Sequence, residues 1–235
     1  MREADAAEVR RLPLFAGMAE ERFAALIQAA FLQRFPPHVV LIEEGERADF
    51  LHVVLAGAVD LFARHEGRET TIMVLRPVRA FILAAVMADE PYLKSARTLE
   101  PSQILMIPAE AVRAVFAEDL TFAWAVVHEL AGAYRVVTRE LKNQKLRTSG
   151  ERLANWILRM SGLSRERGGG SRFEIPFDKR TLAAYLGMTP ENLSRGFAAL
   201  ADSGVTVQGR TVSVADVQAL ARRARPSPLI DDQPT

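Results

Sequence analysis

The segment from Asp178 to Leu200, DKRTLAAYLGMTPENLSRGFAAL, admits few folds. Leu182, Ala183 and Leu186 recur at the spacing of a short helix with one buried side. Gly187 follows where the chain must turn through a left-handed residue, a conformation that glycine adopts without a Cβ penalty. Thr189 is a good N-cap, and Pro190 suits a first helical turn because its missing N–H would find no intrahelical acceptor there. Leu193, Phe197 and Leu200 then give a second helix a buried stripe. The pattern is a helix-turn-helix. Glu191, Asn192, Ser194 and Arg195 fall on the outward N-terminal part of its second helix, the part that reaches base edges in a major groove. Their chemistry suits base reading: Arg donates a bidentate pair to guanine, Glu accepts from cytosine N4, and Ser is permissive. Lys179, Arg180 and Thr189 complete the candidate DNA-binding set on the helical side.

After the second helix, ADSGVTVQGRTVSV alternates apolar and polar residues around Gln208-Gly209-Arg210. That is a two-stranded wing whose tip offers Arg210 to backbone phosphate. Charge agrees. The chain carries a net +1, yet residues 142–225 hold fifteen Lys/Arg against seven Asp/Glu, while residues 1–141 hold fifteen against twenty. A basic C-terminal third on a near-neutral protein is the footprint of a surface that meets phosphate.

Upstream the texture changes. At 235 residues the chain suits two domains. Residues 19–31 carry Phe23, Leu26, Ile27, Ala30 and Phe31 on one helical stripe. From Val39 to Ile107, short runs rich in Val, Ile, Leu and Phe are broken at Gly45, Gly57, Gly67 and Pro77, as in a β-roll or barrel. Between Leu120 and Leu146, apolar residues stand at Ala123, Val127, Leu130, Tyr134, Val137 and Leu141, a heptad seam with no proline. Such a seam packs against a copy of itself, so a parallel homodimer is expected. Residues 151–163 read as another amphipathic helix, SRERGGGSR as a loop and RFEIPF as a short strand. The expected boundaries are 1–118 for the roll with its N-terminal helix, 119–147 for the dimerisation helix, 148–225 for the winged helix-turn-helix and 226–235 for a flexible tail.

LAAYLGMTPENLSR with its preceding strand and its wing resembles the CRP/FNR family of bacterial regulators, and EEGERADFLHVVLAGAVDLFA resembles that family's cyclic-nucleotide-binding-type roll. The resemblance covers about residues 12–222. It implies an α+β chain: a sensory β-roll, a long dimerisation helix and a C-terminal winged helix-turn-helix. It also implies double-stranded DNA, RNA polymerase and a second copy of the chain as partners, a cytoplasmic setting and action as an activator. Glu191, Ser194 and Arg195 match the Glu-x-x-Ser-Arg pattern with which the FNR-like branch reads TTGAT…ATCAA-type palindromes.

The departures fall in the roll. Family members that bind cyclic AMP carry a Gly-Glu pair followed by Arg-Ser; here the first is replaced within Ile82-Leu83-Ala84-Ala85, and Lys94-Ser95 stands for the second. Lysine is a point charge and cannot make arginine's planar two-pronged phosphate contact. Phe81, Leu83, Ala84 and Met87 form a greasy run, with Arg79, Tyr92, Lys94, Ser95 and His52 as the remaining candidate pocket residues. An apolar cavity rimmed by cations suits a flat hydrophobic acid. Haem, as in the DNR/NnrR-type nitric-oxide-responsive branch that the chain resembles, fits; so does a small aromatic acid. An effector-independent roll is the other alternative. Zero cysteines exclude disulfides and any cysteine-ligated iron–sulfur cluster.

No apolar run approaches the roughly 18–20 residues of a membrane span, and MREADAAEVRRL lacks a signal-peptide core. No Gly-rich phosphate loop, paired metal-spaced histidines or cysteine nucleophile supports an enzyme. The remaining rival is an interaction module that does not bind DNA.

Overall fold

The short apolar runs between Val39 and Ile107, with Phe31–Phe35 ahead of them, form two four-stranded antiparallel sheets. The computed structural model describes residues 3–163 and 170–231. Its chain divides into two compact units at Ala133/Tyr134, inside a long helix, and each has its own apolar core.

The first unit opens with three short helices, α1 (Glu3–Arg10), α2 (Pro13–Ala16) and α3 (Glu20–Gln28). Strands β1 (Phe31–Phe35), β2 (Val40–Ile42), β3 (Phe50–Ala56), β4 (Val59–His65), β5 (Arg68–Leu75) and β6 (Arg79–Phe81) follow. Helix α4 (Leu83–Ala88) precedes β7 (Ser95–Thr98) and β8 (Ser102–Pro108), and α5 (Ala109–Glu118) leads to α6 (Leu120–Leu146). The sheets run β1-β8-β3-β6 and β2-β7-β4-β5. Leu51, Val53, Val59, Ile104, Leu105 and Ile107 fill the core between and beside them, all fully buried. Gly57 makes the β3–β4 turn at φ +88°, and a Cβ there would lie 2.6 Å from the Pro101 carbonyl oxygen. No side chain fits that turn without moving backbone.

Phe31, expected on a helix, instead begins β1. The helix ends at Gln28, and Phe31 joins the sheet, where its ring meets Phe50 edge-on at 6.1 Å. Helix α6 starts on a strong cap: the Asp119 carboxylate accepts from Phe122 N–H at 3.0 Å and from Ala19 N–H at 3.4 Å. Those bonds, Phe122's first, hold the carboxyl below its ordinary range.

The second unit contains α7 (Ser149–Leu163), β9 (Ser171–Glu174), α8 (Lys179–Tyr185), α9 (Pro190–Ala199), β10 (Val205–Gln208), β11 (Thr211–Val214), α10 (Val217–Ala224) and α11 (Pro228–Asp231). Residues 164–169 of the expected SRERGGGSR loop lie outside the described residues. The wing is wider than the sequence suggests: β9 pairs with β11, giving a three-stranded sheet in the order β10-β11-β9. The expected flexible tail also differs. Through Asp231 it returns to the end of α6, where the Arg147 guanidinium grips the Asp231 carboxylate with bonds of 2.7 and 2.6 Å. The last four residues, 232–235, lie outside the described residues.

Candidate nucleic-acid interface

Helix α7 is amphipathic, and Leu153, Ala154, Trp156 and Ile157 send its apolar side into the second core. Arg152 interrupts that side. It is 9% exposed, and three backbone carbonyls meet its guanidinium. Nε donates to Leu186 at 2.9 Å, Nη2 to Gly187 at 3.2 Å and Nη1 to Arg147 at 2.8 Å. Leu186 and Gly187 are the turn of the helix-turn-helix, so one buried cation ties that turn to α7 and to the end of α6. Burial pulls the guanidinium below the ordinary arginine range, while the charge of Glu140 opposes the shift; arginine stays charged through such shifts. The sequence reading missed this residue. Its acceptors are carbonyls, which no side-chain pattern advertises.

The two helices around the turn are capped as the sequence implies. Asp178 caps α8, accepting from Thr181 N–H at 2.7 Å. Gly187 sits at φ +62° and donates its N–H to Ala184, while Met188 N–H donates to Ala183 at 2.8 Å. Thr189 caps α9, accepting from Asn192 N–H at 3.2 Å with Pro190 in the first turn. Leu182, Ala183, Leu186, Leu193, Phe197 and Leu200 are all buried. On the other side Glu191, Asn192, Ser194 and Arg195 are exposed, as are Lys179, Arg180 and Thr189. Ser194 Oγ donates to the Pro190 carbonyl at 3.1 Å, and Arg195 Nη2 donates to Asn192 Oδ1, which pre-orients the guanidinium over the helix.

At the wing tip, Gly209 and Arg210 connect β10 to β11, with Gln208 opposite Thr211. Arg210 is exposed, yet it does not simply project. Its Nε and Nη2 donate to the Ile175 carbonyl at 3.1 and 2.8 Å.

Residues 32–119 match the model of the cyclic nucleotide-binding domain, and residues 151–223 match that of the Crp-like helix-turn-helix domain. The chain belongs to the CRP/FNR family. It is a DNA-binding transcription regulator of that type, an α+β chain with the roll N-terminal and the helix-turn-helix C-terminal. A CRP-like cAMP-activated global transcriptional regulator of Mycobacterium tuberculosis is 24% identical over 218 residues, covering 92% of this chain and 97% of that one. The cyclic AMP receptor protein of Thermus thermophilus is 27% identical over 198 residues, covering 84% and 89%. DNR from Pseudomonas aeruginosa shares the fold at a TM-score of 0.51 and 22% identity, over 94% of this chain and 98% of that one.

In this CRP/FNR regulator the expected effector residues range from fully buried to exposed. Phe81 ends β6, and from Leu83 the greasy run is a short helix whose residues part by helical period. Leu83 and Val86 turn into the core, while Ala84 is exposed and Met87 half-buried. Tyr92 is buried and its hydroxyl donates to the Phe50 carbonyl at 3.4 Å. Ser95 is buried beside β2, where Oγ accepts from Glu44 N–H at 3.0 Å and donates to the Glu43 carboxylate at 3.5 Å. Lys94 is half-buried, and desolvation lowers its ammonium below the ordinary lysine range. Arg79 is exposed on β6. No group of three or more His, Asp or Glu side chains among the described residues is arranged to hold a metal ion.

His52 stands apart. It lies on β3 opposite Phe81, 3% exposed, with ring centroids 5.3 Å from Phe81 and 6.4 Å from Phe50. Its Nδ1 is buried without a hydrogen-bond partner. Desolvation lowers the imidazole from 6.5 to about 4. The sign of the consequence follows from linkage: below 6.5 the unfolded chain takes up a proton that the folded roll refuses until about pH 4. Stability is therefore lost as pH falls through that window, by up to roughly 1.4 kcal/mol per pH unit. Urea unfolding of the wild type and of His52→Leu at a series of pH values should show the variant losing less stability between pH 6.5 and 4. Parallel curves would mean that His52 is protonated equally in both states.

Proposed function

We propose that this regulator acts as a homodimer that reads a TTGAT-like inverted repeat through the N-terminal half of α9. The carrying observation is the exposed set Glu191, Ser194 and Arg195 on a capped helix whose opposite side is buried. Arg195 supplies the bidentate guanine contact, Glu191 and Ser194 set the neighbouring bases, and Asn192, Thr189, Lys179, Arg180 and Arg210 position the helix on the backbone. Dimerisation is supported by the α6 stripe. Val127, Tyr134, Val137 and Leu141 are 47–73% exposed, as is Trp124 at 58%, a residue outside the expected seam. Apolar groups of that size on one helix face are hidden by a partner helix. Ala123 and Leu130 are half-buried, and Leu130 packs in part on the first core.

The roll is proposed as a sensor of something other than a cyclic nucleotide. Leu83 is packed in the core, Ala84 offers no carboxylate for a ribose, and the Ser95 hydroxyl is already engaged by Glu43 and Glu44. Haem, the reading shared with DNR/NnrR-type regulators, is supported by one feature, the buried His52 with its unpartnered Nδ1. Calorimetric titration with cyclic AMP should give no binding at micromolar concentrations. Titration with haemin should give a Soret band that His52→Leu abolishes. Micromolar cyclic AMP affinity would overturn the effector assignment, and a Soret band indifferent to His52→Leu would remove haem ligation by that residue.

Fluorescence anisotropy on matched and mismatched palindromes tests the DNA reading. Arg195→Ala should cost on the order of 1–3 kcal/mol per half-site and relax discrimination at the guanine. Val137→Lys places like charges across the seam, away from the first core, and should abolish the preference for a palindrome over a single half-site. Equal losses on matched and mismatched duplexes for Arg195→Ala would assign base reading elsewhere. A Val137→Lys protein that keeps its palindrome preference would refute the seam.

A further inference from the structure

The second unit holds a cleft of about 370 Å³ lined in part by α9. Three elements build it. Thr148 and Gly150 come from the start of α7 and the residue before it, Gly196 and Ala199 from the C-terminal half of α9, and Arg222, Arg223 and Arg225 from the end of α10 and the residue after it. The walls are fixed to each other, because Asn155 Nδ2 on α7 donates to the Ala224 carbonyl at 2.6 Å. Arg225 stands one residue past α10 at φ +48°, a position glycine usually fills, and its side chain is thereby turned to the cleft rather than continuing the helix.

The chemistry converges on an anion. Ser149 and Gly150 open α7, so their N–H groups have no intrahelical acceptor, and Gly150 has open space where a Cβ would sit. Three exposed arginines, Arg222, Arg223 and Arg225, line the same cleft as Gly150. Arg222 is weakly paired with Asp216 at 3.8 Å. Glu151 is the one acid in the lining, and its Oε2 is turned back to accept from Thr148 N–H and Oγ, both at 2.9 Å. Its charge also faces Arg225.

Position says which anion. Glu191, Arg195 and Ala198 form the ridge of α9 that would enter a groove, and Asn192, Gly196 and Ala199 form the next ridge at i, i+4 and i+7. A helix lying in a major groove has sugar–phosphate backbone along its flanks. Gly196 and Ala199 of that second ridge line the cleft.

We propose that the Arg222/Arg223/Arg225 cleft is a phosphate-binding site that grips the duplex backbone beside the half-site. The assignment rests on the DNA reading above and extends the interface beyond helix-turn-helix and wing. A free phosphate offers the same oxyanion chemistry, so the experiment has two arms on the full-length protein. In the first, log affinity against log salt is measured for matched and mismatched duplexes with the double variant Arg223→Gln/Arg225→Gln. The slope should flatten by about one to two units, with equal loss on both duplexes, because a backbone contact carries no sequence information. Glu151→Gln, which retains a capping side chain, should raise affinity for both duplexes. In the second, melting temperature is followed against inorganic phosphate without DNA.

A saturable rise in melting temperature that the double variant removes, with an unchanged DNA slope, would overturn the backbone assignment and make the ligand a free phosphate. Unchanged slope and unchanged phosphate response would overturn the site altogether. Should the wild type show no salt-dependent DNA binding, the DNA reading itself fails, and the phosphate arm alone judges the cleft.

Discussion

One buried guanidinium organises the DNA-binding unit. Arg152 carries a charge into the apolar side of α7, which would be costly if its donors found no acceptors. They find three carbonyls, at Arg147, Leu186 and Gly187. A helix-turn-helix leaves such carbonyls over by construction, because the turn ends one helix before the next begins. The cation and the orphaned acceptors therefore satisfy each other, and the turn that sets the angle between α8 and α9 is fastened to the helix beneath it. Charge-assisted bonds of this kind are roughly twice as strong as neutral ones. Removing the side chain leaves buried acceptors unpaired as well as breaking bonds.

What α9 presents follows from that fastening. Its stripe of Leu193, Phe197 and Leu200 faces the second core, so Glu191, Ser194 and Arg195 have only the outward direction left. The outward groups are held by short-range bonds as well: Thr189 closes the helix start, and Asn192 steadies Arg195. The result is a preorganised reading surface on a rigid element, and rigidity of that kind lowers the entropy lost on binding. The wing follows the same principle, since Arg210 is braced on the Ile175 carbonyl instead of swinging free.

Much of this was legible in the chain. Leu182, Leu186, Leu193 and Phe197 announce their helices because burial follows a 3.6-residue period, and Gly187 announces the turn because it needs a positive φ. The caps at Thr189 and Asp178 are local chemistry, which a sequence states directly. The roll was legible as a set of short strands broken by turns, but not the exposure of each residue in its greasy run. Phe81, Leu83, Ala84 and Met87 are adjacent in sequence and look like one greasy wall; a helical turn between Leu83 and Ala88 separates them. Residues 226–231 look like a tail because they are few and two of them are proline, while the partner that orders them, Arg147, lies 84 residues from Asp231. Arg152 is the same kind of case. A charged residue on an amphipathic helix reads as surface until its distant carbonyl partners are known.

The dependence of the reading helix on Arg152 is tested most directly by amide hydrogen exchange on Arg152→Met, which keeps an unbranched stem and removes every donor. The account predicts that the amides of Gly187, Met188 and the first turn of α9 lose protection, that operator affinity falls with them, and that the amides of β3 and β8 in the roll keep wild-type rates. Unchanged protection at Gly187 and Met188 would contradict it, because the turn would then hold its shape without the guanidinium.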